Sequence, residues 1–167
     1  PGDMPNATAY WGAADANPTT CMTTLGTGTQ TCNGNGDGQI GSWWTSAHDE
    51  VYRGWQQLAI AGMIEGSFTG RTNSGGTTIQ STPGVNCPRT KAGSNACWTI
   101  FGDFAANASA ASWFVPRNYG NVMLLGNAVS GNDAEDPVLK AEDMYTIDMK
   151  IDDGKPQTGI LLSRTVA

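Results

Sequence analysis

The stretch Asn33-Gly34-Asn35-Gly36-Asp37-Gly38-Gln39-Ile40 sets oxygen-bearing side chains at alternate positions with glycines between them. That order follows the first two-thirds of an EF-hand calcium loop: oxygens at the first, third and fifth positions, Gly at the sixth for the sharp turn, an apolar residue at the eighth. Gln39 would contribute its backbone carbonyl. The first position holds Asn in place of Asp, and the twelfth holds Trp44 in place of Glu, so the loop itself brings a single carboxylate. Asp49 and Glu50, on the helical turn that follows, are expected to fold back and complete the set. The expected calcium ligands are therefore Asn33, Asn35, Asp37, Gln39 and Glu50. The plainer alternative is a Gly/Asn loop whose side-chain amides satisfy its own backbone.

A second group of carboxylates, Asp148 with Asp152-Asp153, sits where a C-terminal helix should end. Paired carboxylates serve as acid and base in glycoside hydrolysis. Acids at a helix C-terminus also oppose the macrodipole, so they are expected to meet a cation, Lys150, Lys155 or a neighbouring chain unless they simply face solvent.

The four cysteines, Cys21, Cys32, Cys87 and Cys97, contain no C-x-x-C pair, and the single His48 cannot complete a mixed zinc set. Three disulfide pairings exist, and the sequence does not choose among them. The local pairing Cys21–Cys32 with Cys87–Cys97 is the expectation, since each bond would close a short polar loop with little core of its own and contribute about 2–3 kcal/mol. Disulfides place a protein in an oxidising compartment. His48 lies in Ser46-Ala47-His48-Asp49-Glu50, which reads as a helix start, and no G-x-S-x-G elbow or phosphate-binding glycine motif accompanies it.

These residues need elements to position them. The chain has 167 residues, 15 acidic and 9 basic, for a formal charge of −6, a poor match for a nucleic-acid surface. Apolar residues make up 39% and include six Trp, enough for one domain with a core. The longest apolar run, Leu58 to Ile64, is far shorter than the ~20 residues that span a bilayer. A short helical turn is expected around Asn6 to Trp11, and a long helix from Ser46 to about Glu65, capped by Ser46 with Asp49 and ended by Gly66. Val51, Trp55, Leu58, Ala59 and Gly62 fall on one face of that helix. Strands are expected over Cys97 to Phe104, Asn121 to Val129 and Gly159 to Val166. A second helix is expected over Lys140 to Ile151, with Met144, Ile147 and Ile151 along one side. The fold class is α+β, a small antiparallel sheet packed with a long helix and a second, C-terminal helix.

Three blocks resemble one family. Pro1-Gly2-Asp3-Met4-Pro5-Asn6-Ala7-Thr8 with Trp11-Gly12 is similar to the segment that follows the N-terminal helix in bacterial type IV pilin-like proteins and type II secretion pseudopilins. Trp55-Gln56-Gln57-Leu58-Ala59-Ile60-Ala61-Gly62-Met63-Ile64 resembles a family helix that usually carries His where Gln57 stands, with an acidic counterpart to Glu50 before it. Ile147-Asp148-Met149-Lys150-Ile151-Asp152-Asp153-Gly154-Lys155-Pro156-Gln157-Thr158-Gly159 resembles the C-terminal family signature, and Pro83-Gly84-Val85-Asn86-Cys87-Pro88 a further stretch.

The resemblance implies a single globular head, residues 1–167, on a prepilin-type N-terminal helix that ends where Pro1 begins. That helix would anchor the precursor in the inner membrane and pack into a filament core. It further implies a non-catalytic structural subunit, periplasmic or extracellular, whose partners are other pilin or pseudopilin subunits. Calcium-stabilised loops occur in that group. The head alone is expected to be monomeric and to bind no nucleic acid. The competing expectation is a secreted carbohydrate- or ligand-binding module using Trp43 and Trp44 as stacking platforms. A third is a secreted hydrolase using Asp148 and Asp152 or Asp153.

Overall fold

A computed structural model describes residues 2–12, 31–41, 49–72, 80–102 and 119–163. The elements run α1 (Ala7–Trp11), α2 (Asp49–Ile60), β1 (Ala96–Phe101), β2 (Val122–Ala128), β3 (Ala134–Asp136) and α3 (Ala141–Ile151). The strands form one antiparallel sheet in the order β1-β2-β3, an α+β architecture. Ala96 pairs with Asn127 and Phe101 with Val122, so β1 and β2 match along their length, and a register shift at Asn127/Ala128 precedes β3. No helix among the described residues is long and apolar enough to cross a membrane.

The core lies between α2 and β1. Trp55, Phe68, Cys87, Cys97, Ile100 and Ala134 form it, with Leu58, Ala59, Ile64 and Trp98 packed around. Trp55 occupies the core position its spacing predicts. The helix is buried over more than a stripe, however, since every residue from Val51 to Gln57 is buried. Gly54 makes room on the sheet side: a Cβ there would collide with Ile100 Cδ1.

The helix stops earlier than expected, before Gly62 instead of Gly66. Gly62 has φ +69°, its N–H bonds to the Ala59 carbonyl, and the Met63 N–H reaches back to Leu58. That pair of bonds is a Schellman cap, in which glycine in the left-handed region closes the last turn at least steric cost. Gly62 is thus a terminator and not part of the apolar face. The expected cap Ser46 lies outside the described residues.

Three further features differ from the sequence reading. Strand β3, three residues between Asp133 and Pro137, was too short to show as alternation. The strand expected from Gly159 is not formed over residues 159–163, because the N–H groups of Ile160 and Leu161 are taken by the Asp152 carboxylate instead of by a neighbouring strand. Helix α3 forms where expected, but it faces the opposite way. Ile147 and Ile151 are 38% and 60% exposed, while Asp148 is 5% exposed.

Candidate functional site

The loop at residues 33–41 is assembled around carboxylates that come from outside it. Asp3 Oδ1 accepts the N–H groups of Gly36 (2.7 Å) and Asp37 (2.9 Å), and Asp3 Oδ2 accepts that of Gly38 (2.8 Å). Glu50, at the start of α2, takes the N–H of Asn35 on Oε1 and that of Gly41 on Oε2, both at 2.9 Å. Within the loop, Asp37 Oδ1 accepts from Gln39 N and its Oδ2 from Asn35 Nδ2, while Asn35 Oδ1 accepts from Asp37 N. The loop turns its backbone N–H groups inward in succession, as a glycine-rich segment can, and anions fill the concavity.

Of the five expected ligands, Asp37 and Glu50 are brought together and Asn35 lies between them. Asn33 turns elsewhere: its Oδ1 accepts both the N–H (2.9 Å) and the hydroxyl (3.0 Å) of Thr8, which ties the loop to the first turn of α1. Gln39 is exposed. The residue missed by the sequence reading is Asp3, which joins Asp37 and Glu50 so that one carboxylate oxygen of each lies within 4.8 Å of the others. No local spacing connects Asp3 to a loop more than thirty positions away.

Burial raises the Glu50 pKa above its ordinary 4.5. The N–H groups of Asn35 and Gly41 pull it back, and the charges of Asp3 and Asp37 push it up again. The loop therefore carries mutually repelling acids, each held by backbone dipoles.

The second carboxylate group is also real in space. Oxygens of Asp148, Asp152 and Asp153 lie within 4.8 Å of one another at the end of α3. Asp152 Oδ2 receives the Ile160 and Leu161 N–H groups, Asp153 Oδ1 the Lys155 N–H (2.9 Å), and Asp153 Oδ2 the Thr158 hydroxyl. The Thr158 bond, with the N–H and charge of Lys155, lowers the Asp153 pKa. Asp148 is too enclosed, at 5% exposure, to meet a polysaccharide chain.

Cys87 and Cys97 form the expected disulfide, with both residues fully buried. Cys32 is also disulfide-bonded, and its expected partner Cys21 lies outside the described residues, as do Trp43, Trp44 and His48. No family model, no curated protein and no solved structure matches the chain.

Proposed function

We propose that this chain is the globular head of a structural, non-catalytic subunit in a type IV pilus-like or type II secretion pseudopilus filament. In this reading a prepilin-type helix joins the subunits in the filament core, and the heads set spacing and surface chemistry. One observation carries it: the residues of the family-like blocks act here as scaffold. Trp55 anchors the core, Gln57 holds the backbone at Gly2 and Cys32, and Glu50 fastens the loop at residues 33–41. Asp152 and Asp153 fasten the chain that follows α3. Asp3, from the first block, reaches across to the same loop as Glu50, from the second, so the blocks depend on one another.

The exposed apolar residues of α3, Tyr145, Ile147, Met149 and Ile151, suit a protein that works packed among other subunits.

The test is N-terminal sequencing, with intact mass, of the protein from its source cells. The expected result is an N-terminus upstream of residue 1 that begins with a methylated residue and runs into about 20 apolar positions. A native N-terminus next to Pro1, of the kind left by an ordinary secretory signal peptide, would overturn the proposal.

A further inference from the structure

The aspartate at the centre of α3 is buried where an isoleucine would be expected. Asp148 is the one buried residue of the helix. Ile147 and Ile151 could have been enclosed at no electrostatic cost, yet both face solvent. Taking a carboxylate out of water is unfavourable unless every oxygen finds a partner. Asp148 Oδ1 has none.

The surroundings make this more pronounced. One carboxylate oxygen each of Asp152 and Asp153 lies within 4.8 Å of a carboxylate oxygen of Asp148, and the C-terminal carbonyls of α3 add partial negative charge in the same place. Lys150 lies in the last turn and Lys155 acts on Asp153, but neither donates to Asp148 Oδ1. The segment after the helix does not relieve the repulsion at Asp148. It holds Asp152 through Ile160 and Leu161, and Asp153 through Lys155 and Thr158, so that both carboxylates are fixed beside it. At Gly159 a Cβ would collide with the Asp152 carboxylate, so glycine is what lets the chain close over that side chain.

We infer that Asp148, Asp152 and Asp153 form a site for a hard divalent cation of the calcium class. The donors are all anionic oxygens, the set preferred by such ions over softer metals. Their separation fits around one ion with metal–oxygen distances of about 2.3–2.6 Å, and water fills the rest of a shell of roughly six to eight oxygens. Bound there, the ion offsets the charge of the enclosed Asp148 carboxylate, whose Oδ1 has no hydrogen-bond partner, and ties α3 to the segment through Leu161. The inference rests on the carboxylate geometry and is independent of the filament reading. It also assigns the ion to a different place from the loop at residues 33–41, where both oxygens of the buried Glu50 already have N–H partners, unlike Asp148 Oδ1.

The experiment is a calcium titration of the whole chain after chelator treatment, read by thermal melting and by terbium luminescence with calcium displacement. Wild type is expected to melt higher with calcium. Asp148→Asn and Asp153→Asn are each expected to weaken calcium by at least about tenfold, as loss of one of three anionic ligands should. Asp37→Asn, in the other carboxylate group, is expected to titrate like wild type. Because Asp153 is exposed, Asp153→Asn keeps the test valid if Asp148→Asn does not fold. The inference is overturned by no calcium response up to about 10 mM, beyond the range of weak extracellular sites. It is equally overturned if Asp37→Asn abolishes the response while Asp153→Asn retains it.

Discussion

Gln57, fully buried on α2, accepts the backbone N–H of Gly2 on its Oε1 at 2.6 Å, across 55 positions of sequence. The same amide donates from Nε2 to the Cys32 carbonyl at 3.1 Å. One side chain thus fastens two separate backbone segments to the helix, and both belong to the framework around the loop at residues 33–41. Replacing it by a shape-matched apolar residue keeps the packing and removes both partners. Gln57→Leu is expected to destabilise the fold by about 2–4 kcal/mol, the cost of leaving buried backbone groups unpaired. The check is the midpoint of urea unfolding. An unchanged midpoint would show that the amide does not hold these segments.

Tyr52 gives a pH prediction of definite sign. Its hydroxyl donates to Asp133 Oδ1 (3.3 Å) and accepts the Gln80 N–H (3.2 Å), with Ser81 Oγ on the same aspartate oxygen. Burial, reinforced by the Asp133 charge, pushes the phenol far above its ordinary 10.0. Above pH 10 the unfolded chain loses this proton while the folded chain keeps it, so the unfolded state binds fewer protons and stability falls as pH rises. The Tyr52 contribution to that slope is roughly 1.4 kcal/mol per pH unit. Tyr52→Phe is expected to be less stable at neutral pH, because the Gln80 N–H loses its acceptor, but to decline less steeply above pH 10. Parallel slopes for the two proteins in alkaline denaturation curves would contradict this.

The parts of this fold legible in the sequence were those governed by local rules. Trp55 falls in the core because the helical period places it there, and β1, β2 and α3 lie within a few residues of the ranges read from pattern. What escaped depends on distant partners. Asp3 carries no signal of its own, because its partners are N–H groups of a loop that only folding brings near. The end of α2 at Gly62 required knowing which of two glycines, Gly62 or Gly66, would close a Schellman cap. The orientation of α3 contradicts its apolar stripe, since burial follows Asp148 and leaves Ile147 and Ile151 outside. At the loop, the alternation of oxygen-bearing residues and glycines singled out residues 33–40, and Asp37 and Glu50 do meet there, but spacing could not show that Asn33 would turn to Thr8.

The Glu50 carboxyl should respond to the charge of Asp37. The charges of Asp37 and Asp3 both raise the Glu50 pKa, on top of the larger effect of burial. A raised acid gives stability that is fully present below its ordinary 4.5 and is lost as pH climbs through the folded value. Asp37→Asn retains an oxygen for the Gln39 N–H while removing the charge. It is expected to lower the Glu50 midpoint, moving it toward 4.5, as followed by the carboxyl carbon in NMR titration. A midpoint that stays put or rises would mean the two carboxylates do not sense each other.

The Cys87–Cys97 bond joins residues ten apart, and both sulfurs sit in the core beside Trp55, Phe68 and Ile100. The loop they close is also held by backbone bonds, Trp98 N to the Pro88 carbonyl and Thr90 N to the Ala96 carbonyl, each at 3.1 Å. The disulfide therefore acts mainly on the unfolded chain, by removing the freedom of an otherwise open loop, and contributes about 2–3 kcal/mol. Its removal should leave the hairpin-like arrangement formed, because those backbone bonds and the β1–β2 register do not depend on sulfur. The double replacement Cys87→Ala with Cys97→Ala adds a small cavity on top of that loss. The variant is expected to keep the wild-type far-ultraviolet spectrum and amide-exchange pattern in β1 and β2, while unfolding at lower denaturant. Loss of protection in β1 would instead assign the bond a direct part in holding the sheet together.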